Sequence, residues 1–121
     1  MQLKELSPNF SICKVTDLSR TDLTQEFCFV GKTDEELSVV CPTEGTPGNC
    51  IEVDNGWRAF RIQGVLDFSL IGILAKIAAI LAEQEIGIFV VSTYNTDYVL
   101  VKEENFDRAL EALSQAGYTV V

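Results

Sequence analysis

The fold is decided by the stretch 64–101, which reads GVLDFSLIGILAKIAAILAEQEIGIFVVSTYNTDYVLV. From Leu70 to Ala82 it is apolar except for Gly72 and Lys76, and the apolar residues recur at helical spacing. Because large apolar residues occupy more than one side of that helix, we expect it to be buried on more than one side. The second part of the stretch changes to short apolar runs separated by polar residues, a pattern typical of strands.

Turn and cap residues set the limits of these elements. Either Asp67 or Ser69 can cap the start of the helix, and Gly87 suits its end. Residues 88–91 and 98–101 predict two strands, and the polar segment between them suits an antiparallel hairpin.

The residues on either side complete a recognisable order of elements. Residues 59–63 alternate polar and apolar and predict a strand before the first helix. After the hairpin, a second amphipathic helix is expected with Glu103 and Glu104 in its first turn, where the helix dipole favours acidic residues. Its apolar face is formed by Phe106, Ala109, Leu110 and Leu113. Gly117 predicts its end and 118–121 a last strand. The order βαββαβ from Trp57 onward predicts an α+β, ferredoxin-like sandwich.

The first half is expected to be a reduced version of the second. Residues 1–8 suggest a loose start, and 11–15, 27–30 and 38–41 predict short strands. Thr33 followed by Glu36 matches the capping box of a very short helix. The run Asp54-Asn55-Gly56 suggests a hairpin turn. We expect the two halves to form one unit with a shared core, because neither has enough elements to bury its own sheet.

Composition excludes several classes of function. The chain has 121 residues, 47% of them hydrophobic, and a formal net charge of −9. That charge argues against nucleic acid and anionic membranes as partners, since both need clustered Lys and Arg. The apolar helix is too short to span a bilayer, and no signal segment opens the chain. We therefore expect a soluble, cytoplasmic protein.

The side chains give little support for catalysis or metal binding. Cys13, Cys28, Cys41 and Cys50 form no CxxC pair, and the chain has no histidine. A mixed zinc site therefore lacks ligands, and the usual general base is missing. Buried cysteine acting as a small hydrophobe is the preferred interpretation. We expect no enzyme, no metal and no cofactor.

Two runs of sequence resemble a known family. Residues 66–74, LDFSLIGIL, and 88–98, IFVVSTYNTDY, resemble the ACT domain, the small-molecule-binding regulatory module of aspartate kinases and other amino-acid enzymes. Residues 33–42, TDEELSVVCP, extend the similarity to the small stand-alone bacterial ACT proteins, which are related to the aspartate kinase regulatory region and the cytosolic arginine sensors. The resemblance implies tandem halves: a reduced ACT-like half at 1–56 and an ACT domain at 57–121.

The resemblance also implies where a ligand would bind. ACT domains of this kind hold an amino acid between the loop before the first helix and the second strand with its following loop. Free amides at a helix start suit a carboxylate, and Asp67 and Asp97 suit an ammonium or a cationic side chain. The expected ligand-binding residues are Asp67, Phe68, Ser69, Leu70, Ile71, Gly72, Ser92, Thr93, Tyr94, Asn95 and Asp97.

Several of these residues also have a purely structural interpretation. Asp67 and Ser69 are typical helix caps, and Asn95 to Asp97 suit a turn. The sequence therefore leaves two main hypotheses open. One is a non-catalytic amino-acid sensor, responsive to a basic amino acid and forming a homodimer. The other is a ligand-free dimerisation or protein-interaction module that pairs through a sheet edge. An enzyme acting on a small amine or carboxylate is a distant third.

Overall fold

The chain divides into two compact units, as a computed structural model that describes residues 1–63 and 71–121 shows. The helical unit comprises Met1–Ser7 and Arg58–Val121, and the strand unit comprises Pro8–Trp57. Strand β5 (Cys50–Ile62) contributes its first part to the strand unit and its last part to the helical unit. The domains 1–56 and 57–121 with a shared core stay a prediction, although the first seven residues group with the helical unit.

The helical unit has the predicted order of elements. It contains β1 (Gln2–Glu5), the end of β5, α1 (Ile73–Glu83), β6 (Phe89–Ser92), β7 (Asp97–Lys102), α2 (Glu103–Gln115) and β8 (Thr119–Val120). From Trp57 onward this is βαββαβ, which confirms the ferredoxin-like α+β class. Its strands pair in the order β8-β1-β5-β7-β6.

Strand β1 corrects the expectation that residues 1–8 form a loose start. It pairs antiparallel with β5, Leu3 opposite Ile62, and parallel with β8, Leu3 opposite Val120. Leu3 is fully buried in the core of the helical unit. A four-residue strand with one buried apolar side chain has almost no periodic signal, so its place between two distant strands comes from non-local pairing.

Helix α1 is less buried than its composition suggests. It begins at Ile73 after the N-cap Gly72, which has φ +81° and no side-chain capping bond. Only Ile77 and Leu81 are fully buried, so the expectation of burial on more than one side is wrong. The left-handed residue after the helix is Glu85, with φ +58°, and not Gly87.

Helix α2 confirms its prediction. It begins with Glu103 and Glu104 in the first turn and buries Phe106, Ala109 and Leu113. Its C-terminal end is closed by Gly117 in the left-handed region, where glycine carries no Cβ penalty.

The strand unit contains β2 (Phe10–Val15), β3 (Phe29–Lys32), β4 (Leu37–Pro42), a 3₁₀ turn at Thr43–Gly45 and the first part of β5. The strands pair in the order β3-β4-β2-β5, and each described pair is antiparallel. One core cluster contains all four cysteines with Val15, Leu18, Leu37 and Val39. This confirms the packing of cysteine as a small hydrophobe.

Two turn predictions in this unit are wrong. The segment Thr33 to Glu36 forms the tight turn between β3 and β4 instead of a short helix. Asp54-Asn55-Gly56 lies inside continuous β5, where the register with β2 shifts. Gly56 has φ +85°, so the Asn-Gly pair accommodates a bulge and not a hairpin.

Candidate functional site

The β6–β7 hairpin carries five of the predicted ligand-binding residues. In this hairpin, Ser92 of β6 pairs with Asp97 of β7. The turn between them is closed by a hydrogen bond that the Thr93 amide donates to the Thr96 carbonyl at 2.8 Å. Inside the turn, the Thr93 hydroxyl donates to the same carbonyl at 3.0 Å. The turn backbone is therefore fixed by its own hydrogen bonds, which makes it a preorganised platform for exposed side chains.

The polar side chains of this hairpin differ in their exposure to solvent. Ser92 Oγ donates to Asp97 Oδ1 at 2.5 Å, and the Asp97 carboxylate is half-buried. Tyr94 is 81% exposed, and Asn95 is exposed beside it. The structure thus brings a carboxylate, two hydroxyls, an amide and a phenol to one end of the helical unit.

Thr96, which was not among the predicted ligand-binding residues, joins this hairpin to the end of β5. Its side chain is buried, and its hydroxyl donates to the Ile62 carbonyl at 2.8 Å. Gln63, the residue after Ile62, donates a hydrogen bond from its amide to the Gln2 carbonyl at 2.9 Å. The chain therefore leaves β5 beside the hairpin turn, immediately before the loop that the sequence predicts as the other half of the site.

The residues of that loop are described only in part. Asp67, Phe68, Ser69 and Leu70 lie outside the described residues, so their predicted roles stay predictions. Ile71 is 90% exposed, and Gly72 is the N-cap of α1. The first backbone bond of the helix runs from the Lys76 amide to the Gly72 carbonyl. The predicted supply of unpaired amides at a helix start is consistent with this end.

A cation close to the hairpin was missed by sequence reasoning. Arg61 lies on β5, and its guanidinium donates to the Tyr98 hydroxyl at 3.3 Å and to Gln63 Oε1 at 3.1 Å. The same guanidinium lies 5.9 Å from the centroid of the Tyr98 ring. Alternation along β5 could have indicated it, since Arg61 falls between the buried Phe60 and Ile62.

A cavity of about 600 Å³ opens elsewhere, within the strand unit. Its lining is mostly polar or charged and consists of Ile12, Cys13, Lys14, Glu36, Ser38, Glu52, Val53 and Asp54. None of the predicted ligand-binding residues contributes to it, so the predicted site is not this cavity.

Two of the four cysteine thiols are poorly suited to act as nucleophiles. Burial raises the pKa of Cys13 to about 12 and that of Cys41 to about 11. Since the thiolate is the reactive form, both groups are held in the unreactive state at neutral pH. Within 1–63 and 71–121, no group of three or more His, Cys, Asp or Glu side chains could hold a metal ion.

The architecture defines a ferredoxin-like α+β protein, and comparison with known proteins identifies its family. A family model described as the ACT domain matches residues 52–115, more than half of the chain. A solved structure of a protein from Agrobacterium tumefaciens is 31% identical, with a TM-score of 0.84, and the match covers 99% of this chain and 91% of that one. The chain belongs to the ACT-domain family.

Two other relatives place the family match in context. The human cytosolic arginine sensor for mTORC1 subunit 1 is 40% identical over 60 residues, which are 49% of this chain and 18% of that protein. The chain thus spans less than a fifth of that relative. The regulatory subunit of aspartate kinase from Thermus thermophilus has a TM-score of 0.69 at 14% identity, covering 97% of each chain, and shows likeness of fold alone. In the described part of the chain, no helix is long and apolar enough to cross a membrane.

Proposed function

We propose that this protein is a non-catalytic, amino-acid-binding regulatory protein of the ACT type, located in the cytoplasm and working as a homodimer. The observation that carries the proposal is the buried bond from Thr96 Oγ1 to the Ile62 carbonyl. It fixes the polar β6–β7 turn beside the end of β5, from which the chain continues into 64–72. The side chains of this turn and the backbone amides near Gly72 would provide complementary groups for a zwitterion.

The chemistry of each segment supports an amino acid as ligand. The Asp97 carboxylate would accept hydrogen bonds from an ammonium group, and the amides near Gly72 would donate to a carboxylate. Ser92, Thr93 and Asn95 would add neutral hydrogen bonds. Each charge-assisted bond is worth about 1.5–3 kcal/mol, so two or three on a preorganised platform give about micromolar affinity.

The ligand class follows from charge. Asp67 and Asp97 are both acidic, which favours a basic amino acid such as lysine or arginine. The arginine-sensor relative, matched over 49% of this chain, supports the same choice. Ligand binding at this site would stabilise one arrangement of the protein and change its contacts with a partner, which is linkage between two sites.

Thermal melting with each of the twenty amino acids at millimolar concentration tests this proposal. A ligand at about 100 times its dissociation constant adds about 2.7 kcal/mol, a shift of several degrees in Tm. We expect a basic amino acid to give the largest shift. If none of the twenty moves Tm, amino-acid binding is wrong.

A matched pair of variants locates the site. Asp97→Asn keeps the acceptor for Ser92 but removes the charge, so it should abolish the ligand-induced shift while Tm without ligand stays close to that of the wild type. Glu36→Gln is the control, because Glu36 accepts a comparable bond from Ser38 Oγ at 2.7 Å in the β3–β4 hairpin. Equal loss in both variants would contradict the assignment of Asp97.

The ligand-free dimerisation module remains the second candidate. The observation that favours it is the exposed side of α1, where Ala75, Ala79 and Ala82 face solvent. Under this alternative, no amino acid changes Tm, whereas the molar mass of the protein is that of a dimer.

A further inference from the structure

The two helices of the helical unit present different chemistry to solvent. The exposed positions of α2 are all polar: Glu103, Glu104, Asp107, Arg108, Glu111, Ser114 and Gln115. The exposed positions of α1 are Ala75, Lys76, Ala79, Ala82 and Glu83. Both helices cover the same core, so the difference does not reflect burial in that core. A solvated helix face is normally polar, as in α2, whereas three of the five exposed positions of α1 are alanine.

The geometry of α1 places Ala79 at the centre of this exposed face. At 100° per residue it lies opposite the buried Ile77 and Leu81, with Ala75 and Ala82 along one side. Alanine is also a good helix former, so its presence alone decides nothing. The neighbouring large side chains, however, are only half-buried, which widens the apolar surface: Ile73, Leu74 and Ile80.

The two charged side chains of α1 are self-complementary. Lys76 and Glu83 are seven residues apart, which puts them on the same side of the exposed face, two turns apart. Neither forms an ion pair or side-chain hydrogen bond with any residue in the described ranges. If a second α1 lies antiparallel across the face, with the two-fold axis between residues 79 and 80, Lys76 of each copy faces Glu83 of the other. A parallel pair would instead place like charges opposite each other.

We infer that the exposed face of α1 is the docking surface for α1 of a second copy of this chain, packed antiparallel about a two-fold axis. In a contact with two-fold symmetry, the same surface of both copies meets, so that surface must be complementary to itself. Each contact between two different residues then occurs twice. The net charge of −9 disfavours association through most of the surface, so a nearly neutral face with two crossed ion pairs is the favoured contact. The inference deepens the homodimer of the proposed function by naming its surface.

Sedimentation equilibrium with one variant and one control tests the surface. The wild type should have twice the chain mass of 13.4 kDa. Ala79→Glu places two like charges at the two-fold axis and should give a single chain with an unchanged circular dichroism spectrum. Ser114→Glu adds the same charge to the exposed face of α2 and should leave the dimer intact. A wild type that stays monomeric at high concentration overturns the inference.

Charge exchange tests the antiparallel orientation. Lys76→Glu and Glu83→Lys each turn two attractions into two repulsions, so each should raise the dissociation constant of the dimer about tenfold. The double variant restores both pairs and should recover wild-type affinity. Single variants that dimerise as well as the wild type, or a dimeric Ala79→Glu, would assign dimerisation to another surface. Amino-acid binding is measured separately by melting, so failure of this surface and failure of the sensor proposal give different results.

Discussion

The hairpins β3–β4 and β6–β7 have the same pairing of backbone positions but different side-chain chemistry. Phe29 pairs with Val40 in the first, and Phe89 pairs with Leu100 in the second; every pair along both hairpins keeps this offset of 60 residues. The buried positions of β4 and β7 follow the same pattern. The strand unit therefore contains a copy of the hairpin that carries the candidate site.

The two turns also begin in the same way. The amide of Thr33 donates to the carbonyl of Glu36 at 2.9 Å, and the amide of Thr93 donates to that of Thr96 at 2.8 Å. They diverge at the last turn residue, since Glu36 is exposed whereas Thr96 is buried and bonded to Ile62. The same turn geometry therefore gives an exposed turn in the strand unit and, in the helical unit, a turn that a buried side-chain hydrogen bond holds against β5.

The largest expected effect is at this point of divergence. Thr96→Val removes the buried hydroxyl and leaves the Ile62 carbonyl without its bond, which should lower the free energy of unfolding by about 2 kcal/mol. Glu36→Gln, at the equivalent exposed position, should change it by less than about 0.5 kcal/mol. Urea denaturation of both variants measures the difference, and equal losses would mean that the Thr96 bond does not anchor the hairpin.

The first turn residue should matter similarly in both hairpins. Thr33 Oγ1 accepts from the amides of Glu35 and Glu36, both at 3.1 Å, and Thr93 Oγ1 accepts from the amide of Thr96 at 3.4 Å. Thr33→Ala and Thr93→Ala should each lower the free energy of unfolding by about 1 kcal/mol, because each hydroxyl accepts from backbone amides that hold the turn. Thr→Ser at the same positions keeps the hydroxyl and serves as control. A loss confined to one hairpin would contradict their equivalence.

A third difference is pH-dependent. Cys41 occupies the position of Val101, and burial raises the pKa of its thiol from 9.0 to about 11. The folded state therefore favours the protonated thiol, so this stabilisation is complete below pH 9 and is lost as pH rises through 11. Cys41→Val should reduce the loss of unfolding free energy at alkaline pH by an amount on the order of 1 kcal/mol. Urea denaturation at pH 7, 9 and 10.5 measures it, with parallel wild-type and variant profiles as the contradicting result.

The smallest effect is expected at the exposed hydroxyls. Ser38 Oγ donates to Glu36, and Ser92 Oγ donates to Asp97. Ser38→Ala and Ser92→Ala should each change the free energy of unfolding by less than about 0.5 kcal/mol, because water replaces an exposed bond. Only Ser92→Ala should weaken the amino-acid response in melting experiments. Equal ligand shifts in both variants would remove Ser92 from the site.

Local patterns predicted the helical unit well. Each confirmed prediction depends on a pattern within one element. These patterns are the periodicity of α2, the alternation along β5 and the two apolar runs of β6 and β7. Two turn predictions failed because one local signal suits two structures. Thr33 followed by Glu36 caps a helix or closes a hairpin, and Asn55-Gly56 makes a turn or a bulge. Of the candidate site, the β6–β7 half could be placed on its hairpin, whereas the role of Thr96 could not be foreseen.

The sequence by itself determined the order of elements, their polar and apolar faces, and the polar character of the β6–β7 turn, because spacing and residue type act over a few neighbouring residues. Only the tertiary structure decided that β1 lies between β5 and β8, that Thr96 bonds to Ile62, and that one side of α1 remains exposed. These features depend on residues far apart in the chain. They are decided by which distant strands and side chains come into contact when the chain folds.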